Sequence, residues 1–199
     1  MFSMILHFFT IVWALMKVTK SEICDNAMAL FQADGFEAVS VEVICKACNV
    51  TRGSFYHHFN NKYDVLIYWE RRHAEDRLQH LHHMAEANPV IRLDNYLTAY
   101  ATEISAIGCD LLYRLMLATI ESGGAEQNSH TGLGTYIGSD ALVGLIIDAT
   151  QTSQNKAEEL LRHYNLAMTG LAFEWKLSEG GFDFPAQAHM IAQTVFGLQ

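Results

Sequence analysis

The chain has 199 residues, half of them apolar, only two prolines, and a formal net charge of −9. That length holds one large or two small domains and supplies a core with ease, while the acidic balance has the wrong sign for a protein that coats DNA non-specifically. The four cysteines, Cys24, Cys45, Cys48 and Cys109, lie inside apolar helical patterns, which argues against a disulfide framework and for small buried residues in a reducing cytoplasm.

Residues 2–16 are almost wholly apolar, interrupted only by Ser3, His7 and Thr10. The run falls short of the ~20 residues that span a bilayer. No basic residue precedes it and no small-residue cleavage site follows it. It reads either as a helix packed on the protein or on a partner, or as a membrane anchor.

Lys20–Ala33 is the first full helix, with Ile23, Ala27, Leu30 and Phe31 as its inward stripe. Gly35 ends it, being free to take a left-handed conformation, and Phe36 follows as an insertion under the next elements. Ser40 caps a second helix whose stripe is Val41, Ile44 and Ala47. Its capping box is incomplete, because Val43 stands where an acid is wanted and Glu42 comes one place early. Cys48-Asn49-Val50 breaks the period. Thr51 caps a third helix, Thr51–Phe59, on which Phe55 and Phe59 sit four apart and point back at the second. Arg52, Gly53, Ser54, Tyr56, His57 and His58 fill its other faces. Such a helix shows an apolar back to the protein and a cationic, hydrogen-bonding front outward, the build that suits a DNA major groove in a helix-turn-helix. Between Val43 and Tyr63 the charges are Lys46, Arg52 and Lys62, with no carboxylate, so a local positive patch is expected on an acidic body.

Asn61 caps a fourth helix, with Asp64 at the reciprocal position and Lys62 at the N-terminus, where outward backbone N–H groups suit a phosphate. This helix is expected to run to about residue 86. Further helices are read at about 89–107, 110–122, 138–152, 155–178 and 185–198, with Pro89 and Pro185 near helix starts, where a missing N–H costs little. The glycine-containing stretch 122–138 lacks a Gly-Lys-Ser/Thr ending and reads as a connector. On the last two helices, Ala167, Gly170, Leu171 and Trp175, and Ala186, Met190, Thr194 and Leu198, form stripes that could pair with a second copy in a four-helix seam. The fold class is all-α.

The stretch Gly35-Phe-Glu-Ala-Val-Ser-Val, then Val50-Thr-Arg-Gly-Ser-Phe-Tyr-His-His-Phe and Asn61-Lys-Tyr-Asp, resembles the DNA-binding domain of TetR/AcrR-type transcriptional regulators. The resemblance implies an N-terminal three-helix helix-turn-helix domain over 17–66, followed by a larger helical effector-binding and dimerisation domain over 67–199. It adds a third reading of the apolar N-terminal extension 1–16: Met16-Lys-Val-Thr-Lys looks like a natural start for the family, so what precedes it could be an over-extended start.

The site residues that the resemblance points to are Ser40, Thr51, Arg52, Gly53, Ser54, Tyr56, His57, His58 and Lys62 for DNA. Arg52 is read on a phosphate or on a guanine edge, Tyr56 on a phosphate, and Lys20 as a further phosphate contact. For a small-molecule effector, Tyr96, Tyr100, Met116, Phe173 and Trp175 could line an apolar pocket, with core packing an equal account of each; Glu103, Arg114 and Glu121 are the polar candidates. The implied protein is a homodimeric repressor in the cytoplasm. It would bind a palindromic operator and be released by a ligand that moves the fourth helix.

Other chemistry finds little support. Cys45 and Cys48 share a helix face without a second Cys-x-x-Cys, so no metal site is expected there. His73, His80, His82 and His83 crowd one helix, but Arg71, Arg72 and Arg77 beside them suggest a solvated, salt-bridged face. No nucleophile elbow, zincin motif or nucleotide fingerprint is present, so neither catalysis nor a cofactor is expected. The rival readings are a helical ligand-binding or protein-interaction module without operator binding, and a metal- or thiol-sensing regulator.

Overall fold

Helix starts in this chain are set by side-chain oxygens that accept backbone N–H groups otherwise left unpaired. The computed structural model describes residues 18–83, 88–121 and 139–198, and among these the structure is helical without strands. The order is α1 (Lys20–Asp34), α2 (Val41–Ala47), α3 (Arg52–His58), α4 (Lys62–His83), α5 (Pro89–Ala106), α6 (Cys109–Glu121), α7 (Ser139–Thr150), α8 (Gln154–Leu177) and α9 (Phe184–Phe196). The apolar N-terminal run 1–16, the end of the fourth helix expected over 84–86 and the whole connector 122–138 lie outside the described residues. No helix among those described is long and apolar enough to cross a membrane.

The caps follow the sequence closely. Thr51 Oγ1 accepts from Ser54 N at 3.1 Å, and Asn61 Oδ1 accepts from Tyr63 N and Asp64 N at 2.8 and 3.1 Å. The Asp64 carboxylate does reach back, but to the N–H and side-chain amide of Asn60, one residue before the cap. Ser40 accepts from Val43 N alone, at 3.4 Å. A complete capping box lies one helix earlier, where Thr19 and Glu22 satisfy each other's backbone N–H at 2.7 and 3.1 Å. Asn88 and Asp183 cap the two proline-bearing starts.

The chain divides between Val65 and Leu66 into two compact units. In the first, α1 packs on α2 and α2 on α3. Ile23, Ala27, Phe31, Phe36, Ile44, Phe55 and Phe59 are buried together with Cys24, Cys45 and Cys48. Gly35 donates to Phe31 O and turns the chain at φ 85°, ψ 146°, so the positive φ is used but not the left-handed helical basin. The inward face of α2 differs from the expected stripe. Ile44, Cys45 and Cys48 are buried and Ala47 is exposed, because the short helix meets its neighbours on a face turned by one residue. The turn to α3 is a Schellman close: Asn49 takes φ 53°, its N–H donates to Lys46 O, and Val50 N–H donates to Cys45 O at 2.9 Å.

In the second unit α9 packs on α5 and α8, α7 on α5 and α8, and α6 on α8. Leu93, Ile104, Leu112, Ile146, Leu161 and Phe184 form its buried centre. Two side chains expected in the outward seam are internal instead. Trp175 packs on Phe184 at 4.9 Å between ring centroids and donates its indole N–H to Phe182 O, and Leu198 is buried. The outward apolar stripe of α8 is Leu166, Gly170, Phe173 and Leu177, and α9 adds an exposed Met190.

Candidate functional site

Helix α3 stands on two phenylalanines. Phe55 is wholly buried and Phe59 nearly so, their rings 5.6 Å apart. With that back fixed, the 3.6-residue period sends Arg52, Gly53, Ser54, Tyr56 and His57 outward, all exposed, with His58 half-buried. Tyr56 sets its ring edge-on against Phe55 at 5.5 Å, and the His57 and His58 rings lie 5.1 Å apart. Gly53 has ordinary helical backbone, and a Cβ added there would meet only Thr51 Oγ1 at 3.7 Å. The fold therefore does not require glycine at this place, although glycine weakens a helix. Without a side chain there, the outer face leaves the backbone less covered.

The expected patch of three cations is weaker than its sequence count. Arg52 Nη1 is paired with Glu42 Oε1 at 2.7 Å, and its guanidinium lies 5.9 Å from the Tyr56 ring centroid. Lys62, expected to point out from the start of α4, is turned inward. Its ammonium donates to Phe36 O at 2.6 Å and Val39 O at 3.3 Å, and stacks 4.3 Å over the Phe36 ring. Those carbonyls follow α1 where the chain has left helical geometry, and the ammonium gives each of them a donor. Lys62 thus ties the α1–α2 connection to α4. Lys62→Met keeps the stem and removes the donors, and is expected to destabilise the first unit by about 1–2 kcal/mol, measured by urea unfolding. Lys20 is also used within the unit, its ammonium 5.0 Å over the Phe59 ring.

The second unit holds a buried polar cluster. Arg77 donates to Glu70 Oε1 at 2.9 Å and to Glu103 Oε2, and its guanidinium stacks 4.8 Å over Tyr100. His73 Nε2 stands 3.5 Å from Glu103 Oε1 and stacks on Trp69 at 4.2 Å. Glu70 and Arg77 are buried, which corrects the expectation of a solvated face around Arg77. The signal was present in the sequence: residues 66, 70, 73/74 and 77 share one helical stripe with Leu66 and Ala74. Of the effector candidates, Tyr96, Tyr100 and Glu103 belong to this cluster. Met116 and Trp175 are buried apolar packing, and Arg114 is half-buried, 4.0 Å from Asp110. Phe173 faces outward at 49% exposure, and the Glu121 side chain lies outside the described residues.

Burial raises the Glu70 carboxyl to about 7 against the opposing pull of Arg77. Burial likewise raises the Tyr96, Tyr100 and Tyr164 phenols, with Tyr96 adding to the rise of the other two and Tyr164 to that of Tyr100. A raised acid binds its proton more tightly folded than unfolded, so its stabilising share is complete below the ordinary carboxyl range and lost as pH rises through about 7. Unfolding free energy is expected to rise by about 1 kcal/mol on acidifying from pH 8 to 6, and Glu70→Gln to flatten that slope, as read by thermal melts across pH.

Glu70 Oε2 and the hydroxyls of Tyr100 and Tyr164 are buried with no hydrogen-bond partner among the described residues. Burial also raises the Cys45 and Cys48 thiols, away from the thiolate that binds metal or reacts with oxidant. Among the described residues no group of three His, Cys, Asp or Glu side chains is placed to hold a metal ion.

With this geometry in hand, comparison with known proteins is specific at the N-terminus. Residues 23–68 match the family model described as bacterial regulatory proteins, tetR family. The Transposon Tn10 TetC protein of Escherichia coli is 42% identical over 50 residues, and the HTH-type transcriptional regulator UidR of Escherichia coli K12 is 39% identical over 49. Each match covers 25% of this chain and 25% or 24% of the relative, so the likeness spans about a quarter of those proteins. In fold, the chain is similar to Thermus thermophilus FadR, a TetR-family transcriptional repressor solved with lauroyl-CoA. The TM-score is 0.61 at 18% identity, over 89% of this chain and 93% of that one.

Proposed function

The N-terminal domain of this chain belongs to the TetR family of bacterial regulatory proteins, and from that premise we propose that the protein is a transcriptional repressor that binds operator DNA as a homodimer and is released by a small molecule. One observation carries the reading. Helix α3 is held by buried Phe55 and Phe59 and turns outward a front of Arg52, Ser54, Tyr56 and His57 around a glycine that the fold does not need. Hydroxyl, imidazole and guanidinium groups at these places can contact phosphates and base edges while the bare glycine lets the backbone come close. Ser40 caps α2, Thr51 caps α3 and His58 flanks the front; at the start of α4 Asn61 takes the N–H groups of Tyr63 and Asp64 and Lys62 turns inward, so that end is left out of the proposed DNA contacts.

A single short helix reads few base pairs, so two copies at fixed spacing are needed for an operator. The stripe Leu166, Gly170, Phe173, Leu177 on α8, with Met190 on α9, is the proposed seam, its large side chains 49–63% exposed in one chain. The effector is assigned to the second unit, at the cluster of Glu70, Arg77, Tyr96, Tyr100, Glu103 and Tyr164. FadR of Thermus thermophilus was solved with lauroyl-CoA. The unpartnered carboxylate oxygen and hydroxyls here favour a ligand with hydrogen-bonding groups over a bare saturated chain. Such a ligand releases DNA only by binding the DNA-incompetent arrangement more tightly.

Footprinting on sites selected from random duplexes tests the reading. Wild type is expected to protect a discrete palindromic site, and Arg52→Ala with Tyr56→Ala to lose at least about 30-fold in affinity, as two lost contacts of about 1–3 kcal/mol each imply. Protection of no discrete site by wild type rejects the repressor. A Leu166→Glu, Phe173→Glu chain that stays dimeric in light scattering rejects the seam.

A further inference from the structure

Arg52 can serve DNA in two ways, on a phosphate or on a base edge, and the side chains around it separate them. The Arg52–Glu42 pair joins the first turn of α2 to the first residue of α3 across the helix-turn-helix, at 2.7 Å. Glu42 is itself anchored: its own backbone N–H, the Ser40 hydroxyl and then Arg52 hold its carboxyl below the usual range. The Arg52 guanidinium lies 5.9 Å from the Tyr56 ring centroid and hydrogen-bonds with the Tyr56 side chain. The result is a run of exposed side chains, Ser40, Glu42, Arg52 and Tyr56, in which each fixes the next.

An exposed pair of this kind contributes little to folding; the two side chains are 61% and 56% exposed. Its position matters more than its strength. A carboxylate beside the guanidinium cancels the charge that a phosphate would seek, and itself repels a phosphate. It leaves untouched what a guanine edge needs, which is a planar fork of donors held in one direction.

Resting on the reading of α3 as a DNA-reading helix, we propose that Glu42 is a positioning residue for base recognition: it holds one edge of the Arg52 guanidinium so that the remaining donors meet a guanine in the major groove and not the phosphate backbone. Glu42 therefore lowers affinity for DNA in general and raises selectivity for one base pair in each half-site.

The test uses the full chain and duplexes carrying the wild-type selected site, each base pair varied in turn, at several salt concentrations. Arg52→Gln is expected to lower preference at one base pair per half-site about tenfold, and to change the slope of log affinity against log salt by less than about 0.5, because Glu42 already balances the guanidinium charge. Glu42→Gln is expected to lower the same preference about fivefold while binding random duplex about twofold more tightly. Both chains should melt as wild type does, since neither side chain is in the core. A salt slope that falls by about 1 in Arg52→Gln, with every sequence weakened alike, puts Arg52 on a phosphate and overturns the proposal. An unchanged base preference in Glu42→Gln overturns it too, as does a fall in both affinity and selectivity. If wild type selects no site at all, the DNA-binding reading fails first and takes this inference with it.

Discussion

Phe55→Ala is expected to cost the first unit about 3–5 kcal/mol, the range for truncating a buried phenylalanine that leaves a cavity. Phe55 is wholly buried against the ring of Phe59, on a helix that packs on α2. A domain of ordinary stability has only about 5–15 kcal/mol to lose, so most of the first unit's margin goes. Hydrogen exchange checks this: protection at Ile44 and Phe59 amides should collapse, while amides of α8 in the second unit keep theirs. His57→Ala, on the exposed front of the same helix, should stay within about 0.5 kcal/mol of wild type. The contrast separates the residues that seat the helix from those it displays.

Arg77→Met is expected to have a comparable effect on the second unit, about 3–5 kcal/mol, because it strands a buried carboxylate. Glu70 has Arg77 as its ion-pair partner at 2.9 Å, and Glu103 shares the same guanidinium. Without it, Glu70 is pushed further above about 7, so the loss should be larger at pH 8 than at pH 6. Near-ultraviolet circular dichroism of Trp69 and Trp175, both in the second unit, follows this during urea unfolding. Adding Glu70→Gln to Arg77→Met should recover most of the stability at pH 8, since the charge left alone is then gone. Failure to recover would show that Arg77 acts by packing over Tyr100 and not by charge.

Together the two substitutions separate folding from recognition. The first unit is expected to lose α3 when an apolar anchor goes, while substitutions of exposed Arg52, Tyr56 and Glu42 are expected to leave the fold intact. The second unit is sensitive to charge in its interior, which is where an effector with hydrogen-bonding groups would act.

The sequence by itself determined the helices, their starts, and which face of α3 is apolar. These are local properties: a cap lies within three residues of the N–H it satisfies, and a helical stripe repeats within one turn. Thus Thr51, Phe55 and Phe59 behave as their spacing requires, and so do the two proline-bearing starts. Tertiary structure alone decided which exposed-looking groups are used inside. Lys62 turns to carbonyls 23 and 26 residues away, Arg77 reaches a glutamate 26 residues on, and Glu42 meets Arg52 across a turn. On α8, Phe173 and Trp175 are both aromatic in one apolar stretch, yet two helical steps set them about 200° apart, so only one can face inward. Which one does depends on where α9 brings Phe184, and no spacing within α8 contains that information.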